Sequence, residues 1–291
     1  MRKIDVFKLS VVVLTITAFL GLFNSASAAT KTKSTNWAGY KVEFSVSSGQ
    51  KVDRVSGGWV VPSVQASVEF RQVSEWIGIG YNSSDLVQIG TLQTSVRGQV
   101  TYSAWYQRLP EDLESVDITQ LDGKVDPGTA IDAVVEKGAG DSWILVITAG
   151  NVRVQKKVAH FGSQQLSAEW IVELPTPVLR SRRMSRLADF GNVTFTAARA
   201  TVNGDASMLK DLPYGIDELV DSPFSDVLAS TSNLSEDGES FVVTYEVGNT
   251  MGVGDFIISQ APYVGVAAMI AGEAVGTTVL MQRFKNRKKK R

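Results

Sequence analysis

Two side chains in this sequence stand where they could move a proton and hold an oxyanion. Glu169 lies in Ser167-Ala168-Glu169-Trp170-Ile171-Val172-Glu173, where Ala168, Trp170 and Val172 alternate with Glu169, Ile171 and Glu173. A period of two is that of a strand, so the Glu169 carboxylate points away from the Trp170 face. An acid held among bulky apolar neighbours on a strand is a candidate for proton transfer. The alternative is a solvent-facing strand glutamate. Gln88, in Asp85-Leu86-Val87-Gln88-Ile89-Gly90, is on the same side of its strand as Leu86. A rigidly held glutamine can donate from its amide nitrogen to an oxyanion, although most strand glutamines are simply exposed. Gln93, five residues further on, is the competing choice.

Other chemistries are thinly supplied. The chain has no cysteine and one histidine, His160. That excludes thiolate sites and multi-histidine metal sites, and leaves a serine triad one possible base. His160 follows a strand-like run without a Gly-x-Ser-x-Gly elbow elsewhere, and reads as a surface or structural residue. The net charge of −1, without a basic face in the body of the chain, argues against nucleic acid as a partner.

The elements that must position Gln88 and Glu169 are strands. Residues 52–61, 100–109, 142–148, 193–200 and 240–247 are rich in aromatic and β-branched types. Asp122-Gly123, Asp126-Pro127-Gly128, Asn203-Gly204 and Asp237-Gly238 supply turns. Short strands without interleaved amphipathic helices predict an all-β sandwich or barrel. Residues 208–232 are less regular and read as a short helix or a long loop.

The two ends differ from this body. Residues 1–28 read as a secretory signal peptide: Arg2, Lys3 and Lys8, an apolar stretch, then Ala26-Ser27-Ala28 as cleavage site. An uncleaved anchor is the other reading. Residues 29–250 form the domain and 251–262 a Gly-containing linker. Residues 263–282 read as a transmembrane helix, and 283–291 as a basic cytoplasmic tail. Glu273, mid-span, makes that helix marginal, at a cost of ~2.5–3.5 kcal/mol. A surface helix or a free basic tail is the alternative. The protein is thus expected on the extracellular face of the cell membrane.

Six stretches in order resemble the glutamic peptidase family, the eqolisins. They are Asn36-Trp37-Ala38-Gly39-Tyr40, Trp59-Val60-Val61-Pro62, Trp76-Ile77-Gly78-Ile79-Gly80, Leu86-Val87-Gln88-Ile89-Gly90, Tyr102-Ser103-Ala104-Trp105-Tyr106 and Ala168-Glu169-Trp170-Ile171-Val172-Glu173. The resemblance covers residues 35–247 and implies an antiparallel two-sheet β-sandwich, concanavalin-like, whose concave face binds a peptide. It implies catalysis by Glu169 as general base and Gln88 as oxyanion donor, with no metal or cofactor. Trp37, Trp76 and Trp105 would line the substrate cleft, with core packing as the alternative for each. Family members work in acid, so an acidic optimum is expected for a glutamate titrating near ~4.3. The chain departs from the family pattern at Gly80 and Gln107, where acids are common.

Two other functions compete. A glycosidase would need a carboxylate pair roughly 5–9.5 Å apart. Glu169 and Glu173 share a face, but four strand residues span ~13 Å, and no other partner is evident. A non-catalytic surface module, lectin-like or adhesin-like, would use the same sandwich without needing Gln88 and Glu169 together.

Overall fold

The computed structural model describes residues 31–81, 85–109, 112–115, 125–175, 185–222 and 225–246. Among them the chain is all-β, with seventeen strands and only single-turn 3-10 helices. The expected signal peptide, linker, membrane helix and basic tail lie outside the described residues. Among those described, no helix is long and apolar enough to cross a membrane.

Hydrogen-bonded pairing arranges the strands in two runs. One is β7 (Asp112–Ser115), β6 (Gln99–Arg108), β5 (Val87–Val96), β4 (Arg71–Gly80), β11 (Ser167–Glu173), β2 (Trp37–Glu43), β15 (Tyr214–Val220) and β1 (Lys31–Ser34). The other is β10 (Val152–Val158), β9 (Trp143–Ala149), β8 (Ala130–Lys137), β3 (Val52–Val60), β13 (Asn192–Val202), β17 (Phe241–Tyr245) and β16 (Val227–Thr231). β15 belongs to both, because its first half pairs with β2 and its end with β16. Two short strands flank the runs: β14 (Asp205–Met208) forms a hairpin with β13, and β12 (Arg186–Leu187) lies beside β4. Pairing is antiparallel except for β1 with β15 and β12 with β4.

The runs pack face to face. Tyr40 of β2 lies 4.5 Å from the Phe241 ring of β17, which stacks on Phe195 of β13 at 5.0 Å. Two indoles tie the layers: Trp59 Nε1 donates to Thr91 Oγ1 at 2.9 Å, and Trp170 Nε1 donates to the Ser56 carbonyl at 2.9 Å. Ile77, Ile79, Val87, Ile89, Ala168, Trp170 and Val172 all turn into this interlayer core. Burying a large apolar side chain contributes ~1.5–3 kcal/mol, which explains why one face of β4, β5 and β11 is uniformly apolar.

The strand runs read from the sequence correspond to β3, β6, β9, β13 and β17. Asn203 and Gly204 both have positive φ, 50° and 88°, the two-residue turn that matches strand twist. Residues 208–232 correct the expectation. Among the described residues of this segment there is one short 3-10 helix, Leu209–Asp211, after the end of β14, and the long loop is replaced by β15 and β16.

Candidate active site

β11 is the strand on which the site is built. It lies between β2 and β4, and every one of its residues is buried. Its register fixes a row of side chains across the sheet. Glu169 is opposite Lys41 on one side and Gly78 on the other. Gly78 is opposite Gln88, which is opposite Gln107. Directly opposite residues share a face, so Lys41, Glu169, Gln88 and Gln107 project together, with only the hydrogen of Gly78 between the middle pair.

Gly78 makes this possible sterically. Glu169 and Gln88 are two interstrand spacings apart, ~9.6 Å between backbones, and a side chain between them would wall one from the other. A Cβ at residue 78 would lie 2.8 Å from Leu86 Cδ1, 3.1 Å from Gln88 Cβ and 3.1 Å from Trp76 Cζ3. Gln88 therefore leans over the glycine. Gly80 is equally constrained, since a Cβ there would meet the Leu86 Cα at 2.7 Å, so this backbone has no room for an acid at that position.

Both central groups are only 2% exposed, which overturns the solvent-facing reading of Glu169. Gln88 Nε2 donates to Gln107 Oε1 at 2.9 Å. Gln88 Oε1 and Glu169 Oε2 are buried acceptors without a hydrogen-bond partner among the described residues. Burial, above all, pushes the Glu169 carboxyl from 4.5 up to about 8; Ser167 and, less strongly, Lys41 oppose, while Glu43 and Asp217 push the same way as burial. Desolvation disfavours the charged form of the carboxyl, which is the direction seen here.

Gln93, the competing choice, falls on the opposite face. Its Nε2 donates to Glu75 Oε2 at 2.9 Å, and Thr91 Oγ1 donates to the same oxygen at 2.7 Å. Burial raises Glu75 to about 7. This second amide–carboxyl pair sits in the interlayer core and shares an acceptor network with Trp59.

The three tryptophans lie on the face of the dyad, but differently. Trp76 and Trp105 are buried with Leu86, Leu92, Leu109 and Ile171, and Trp37 packs half-buried against that cluster. Trp76 Nε1 donates to Glu173 Oε2 at 2.8 Å, and the Trp37 ring meets Trp76 edge-on at 5.3 Å. Trp105 Nε1 donates to Ser74 Oγ at 3.0 Å. Gly90, opposite both Trp76 and Trp105, leaves room for these rings; a Cβ there would meet Trp76 Cβ at 2.6 Å. His160 lies on an exposed bend beyond β10, and no cluster of metal-ligating side chains exists among the described residues.

Lys41 and Asp217 were not singled out by sequence reasoning. Lys41 Nζ is 3.4 Å from Asp217 Oδ2 and 3.6 Å from Glu43 Oε2. The alternation Trp37, Gly39, Lys41 was the available signal; which strand it faced was not readable.

The Peptidase A4 family model matches residues 35–245. The chain belongs to the Peptidase A4 family. Aspergillopepsin-2 of Aspergillus niger is 30% identical over 208 residues, which cover 59% of this chain and 66% of that relative. The chain thus spans just under two thirds of the curated relative's length. Among solved structures, Scytalido-glutamic peptidase with a peptide-based transition-state analogue superposes at a TM-score of 0.59. It is 21% identical, with 73% of this chain and 98% of that one covered. SCP-B, an eqolisin solved with the tripeptide Ala-Ile-His, gives 0.57 at 20% identity over the same shares. At these identities the structural likeness establishes the shared fold. The Peptidase A4 assignment covers every strand from β2 to β17, and so the whole row from Lys41 to Gln107.

Proposed function

We propose that this Peptidase A4 chain is an exported, membrane-tethered endopeptidase of the glutamic type, in which Gln88 and Glu169 activate water for peptide-bond hydrolysis. The observation that carries this reading is the register row Glu169–Gly78–Gln88. It puts an amide and a carboxyl on one face with a side-chain-free gap between them. Two buried acceptors without protein partners, Gln88 Oε1 and Glu169 Oε2, border this row, and a water donating two hydrogen bonds satisfies such a pair.

In the reaction, Glu169 takes a proton from this water as the oxygen attacks the scissile carbonyl. The carbonyl oxygen becomes an oxyanion and accepts a hydrogen bond from the second N–H of the Gln88 amide, the first being held by Gln107. Glu169 then returns the proton to the leaving nitrogen. No metal or cofactor has a part in these steps. A carboxylate raised by burial is a stronger base, and the acid limb of kcat/KM then lies above the range of free glutamate. The acidic optimum expected from the sequence shifts upward accordingly.

The substrate is a peptide or unfolded protein, in keeping with the transition-state analogue and tripeptide bound by the two solved eqolisins. Half-buried Trp37 is the indole placed to touch it, while Trp76 and Trp105 form the floor beneath. The rest of the reading comes from the family and the sequence: a concanavalin-like two-sheet sandwich, a signal peptide at residues 1–28, and a C-terminal membrane helix at 263–282.

The test is cleavage of a denatured protein by the full chain in mild detergent across pH, beside Glu169→Gln and Gln88→Ala. Wild-type cleavage should fall by ~10²–10³ in Gln88→Ala and to background in Glu169→Gln. Equal cleavage by all three, or by none, rules out the peptidase and leaves the non-catalytic binding module.

A further inference from the structure

The row that holds Gln88 and Glu169 does not end at the carboxyl. On its far side stands Lys41, directly opposite Glu169 on β2 and on the same face. The Lys41 side chain is one quarter exposed, its ammonium 3.4 Å from Asp217 and 3.6 Å from Glu43. Asp217 is almost wholly buried and is itself held by the Thr32 hydroxyl. Gly215, opposite Lys41 on β15, adds no side chain that would push the lysine away. The cation is therefore clamped beside the dyad.

We propose that Lys41, clamped by Asp217 and Glu43, is a positioning residue for the hydrolysis: it keeps the Glu169 carboxylate available as a base. This rests on the Gln88–Glu169 reading above and deepens it. A buried carboxylate without a counter-charge is strongly disfavoured. The charges that reach Glu169 come from few places. β2 supplies Lys41 and Glu43, and β15 supplies Asp217. On the other side β4 and β5 present Gly78 and Gln88, both neutral. Glu173, further along β11, is bound to Trp76 and raised by burial to about 7. Among the described residues Lys41 is the one cation acting on Glu169; it opposes two anions and works in the same direction as Ser167. Burial alone would discharge Lys41, but Asp217 and Glu43 outweigh it and hold the ammonium charged.

The sign pattern makes the test sharp. Removing the cation should move Glu169 one way, and removing the exposed anion Glu43, with Asp217 still holding the lysine, the other. The experiment uses the full chain in detergent, labelled with 13Cδ-glutamate, the Glu169 resonance being assigned by its loss in Glu169→Gln. Its titration and the acid limb of kcat/KM are both followed in wild type, Lys41→Met, Lys41→Arg and Glu43→Gln. Lys41→Met should raise the Glu169 midpoint and the acid limb together by ~1 pH unit or more. Lys41→Arg should restore both, and Glu43→Gln, which removes a nearby anion and leaves Asp217 to hold the lysine, should lower both. A Glu169 midpoint unchanged in Lys41→Met, or shifts of the same sign in Lys41→Met and Glu43→Gln, overturns the proposal. If Glu169→Gln cleaves as wild type does, the dyad reading has failed instead, while the resonance still reports whether Lys41 governs the carboxyl.

Discussion

Gly78 decides whether an amide on β5 and a carboxyl on β11 can share one reactant across β4. Adding a single methyl there tests it. In Gly78→Ala the new carbon would sit 2.8 Å from Leu86 Cδ1 and 3.1 Å from Gln88 Cβ, so Leu86 and Gln88 must both give way. Overpacking of this kind costs ~1–3 kcal/mol of stability. The displaced amide should lower kcat/KM by ~10²-fold, measured on protein shown to be folded by circular dichroism. Wild-type kinetics in Gly78→Ala would mean that Gln88 acts from another position. At this scale the sequence was informative where residue type and short-range alternation suffice, as for Gln88, Glu169 and the Trp37–Trp76–Trp105 face. It was silent on Lys41 and Asp217, whose meaning comes from the strand they lie against. It could not tell Gln88 from Gln93 by chemistry either. Only the odd spacing, which sends Gln93 to the opposite face and onto Glu75, separates them.

Among the elements, β11 was the most readable and β15 the least. β11 is apolar on the Ala168, Trp170 and Val172 face and mixed on the other, and it is enclosed by a neighbour on each side. Its Trp170 faces away from the dyad and donates to the Ser56 carbonyl of the opposite layer. Trp170→Phe should therefore cost ~1 kcal/mol in chemical denaturation while leaving kcat/KM unchanged. A large loss of activity would show that the two faces of the strand are coupled. β15 carries Gly215, Asp217 and Glu218, residue types that disfavour strands. It is a strand because β1, β2 and β16 all pair with it, and because Asp217 meets Lys41 and Thr32. Tertiary pairing of that kind leaves no local trace, which is why residues 208–232 read as irregular.

For the molecule as a whole, three buried carboxyls point one way. Glu75, Glu169 and Glu173 are raised by burial from 4.5 to about 7, 8 and 7. The folded chain keeps protons that the unfolded chain releases, so it binds more of them. The stability these three groups contribute should then be fully present below pH 4.5 and be lost as pH rises from there through 7 to 8. Full ionisation of one such group costs on the order of 3 kcal/mol. The thermal midpoint is expected at least ~5 °C lower at pH 8 than at pH 5, and Glu75→Gln should flatten that slope. A midpoint that rises over this range would contradict the burial of these groups. The timing of assembly follows from where β15 falls in the chain. The Lys41 clamp and the seam between the two layers both wait for residues 214–220, long after Gln88 and Glu169 have been synthesised. A growing polypeptide halted before that point holds Lys41, Gln88 and Glu169 but lacks Asp217, the buried partner of the lysine. Such closure of distant segments makes folding slow. An unfinished chain therefore has its lysine held by Glu43 alone.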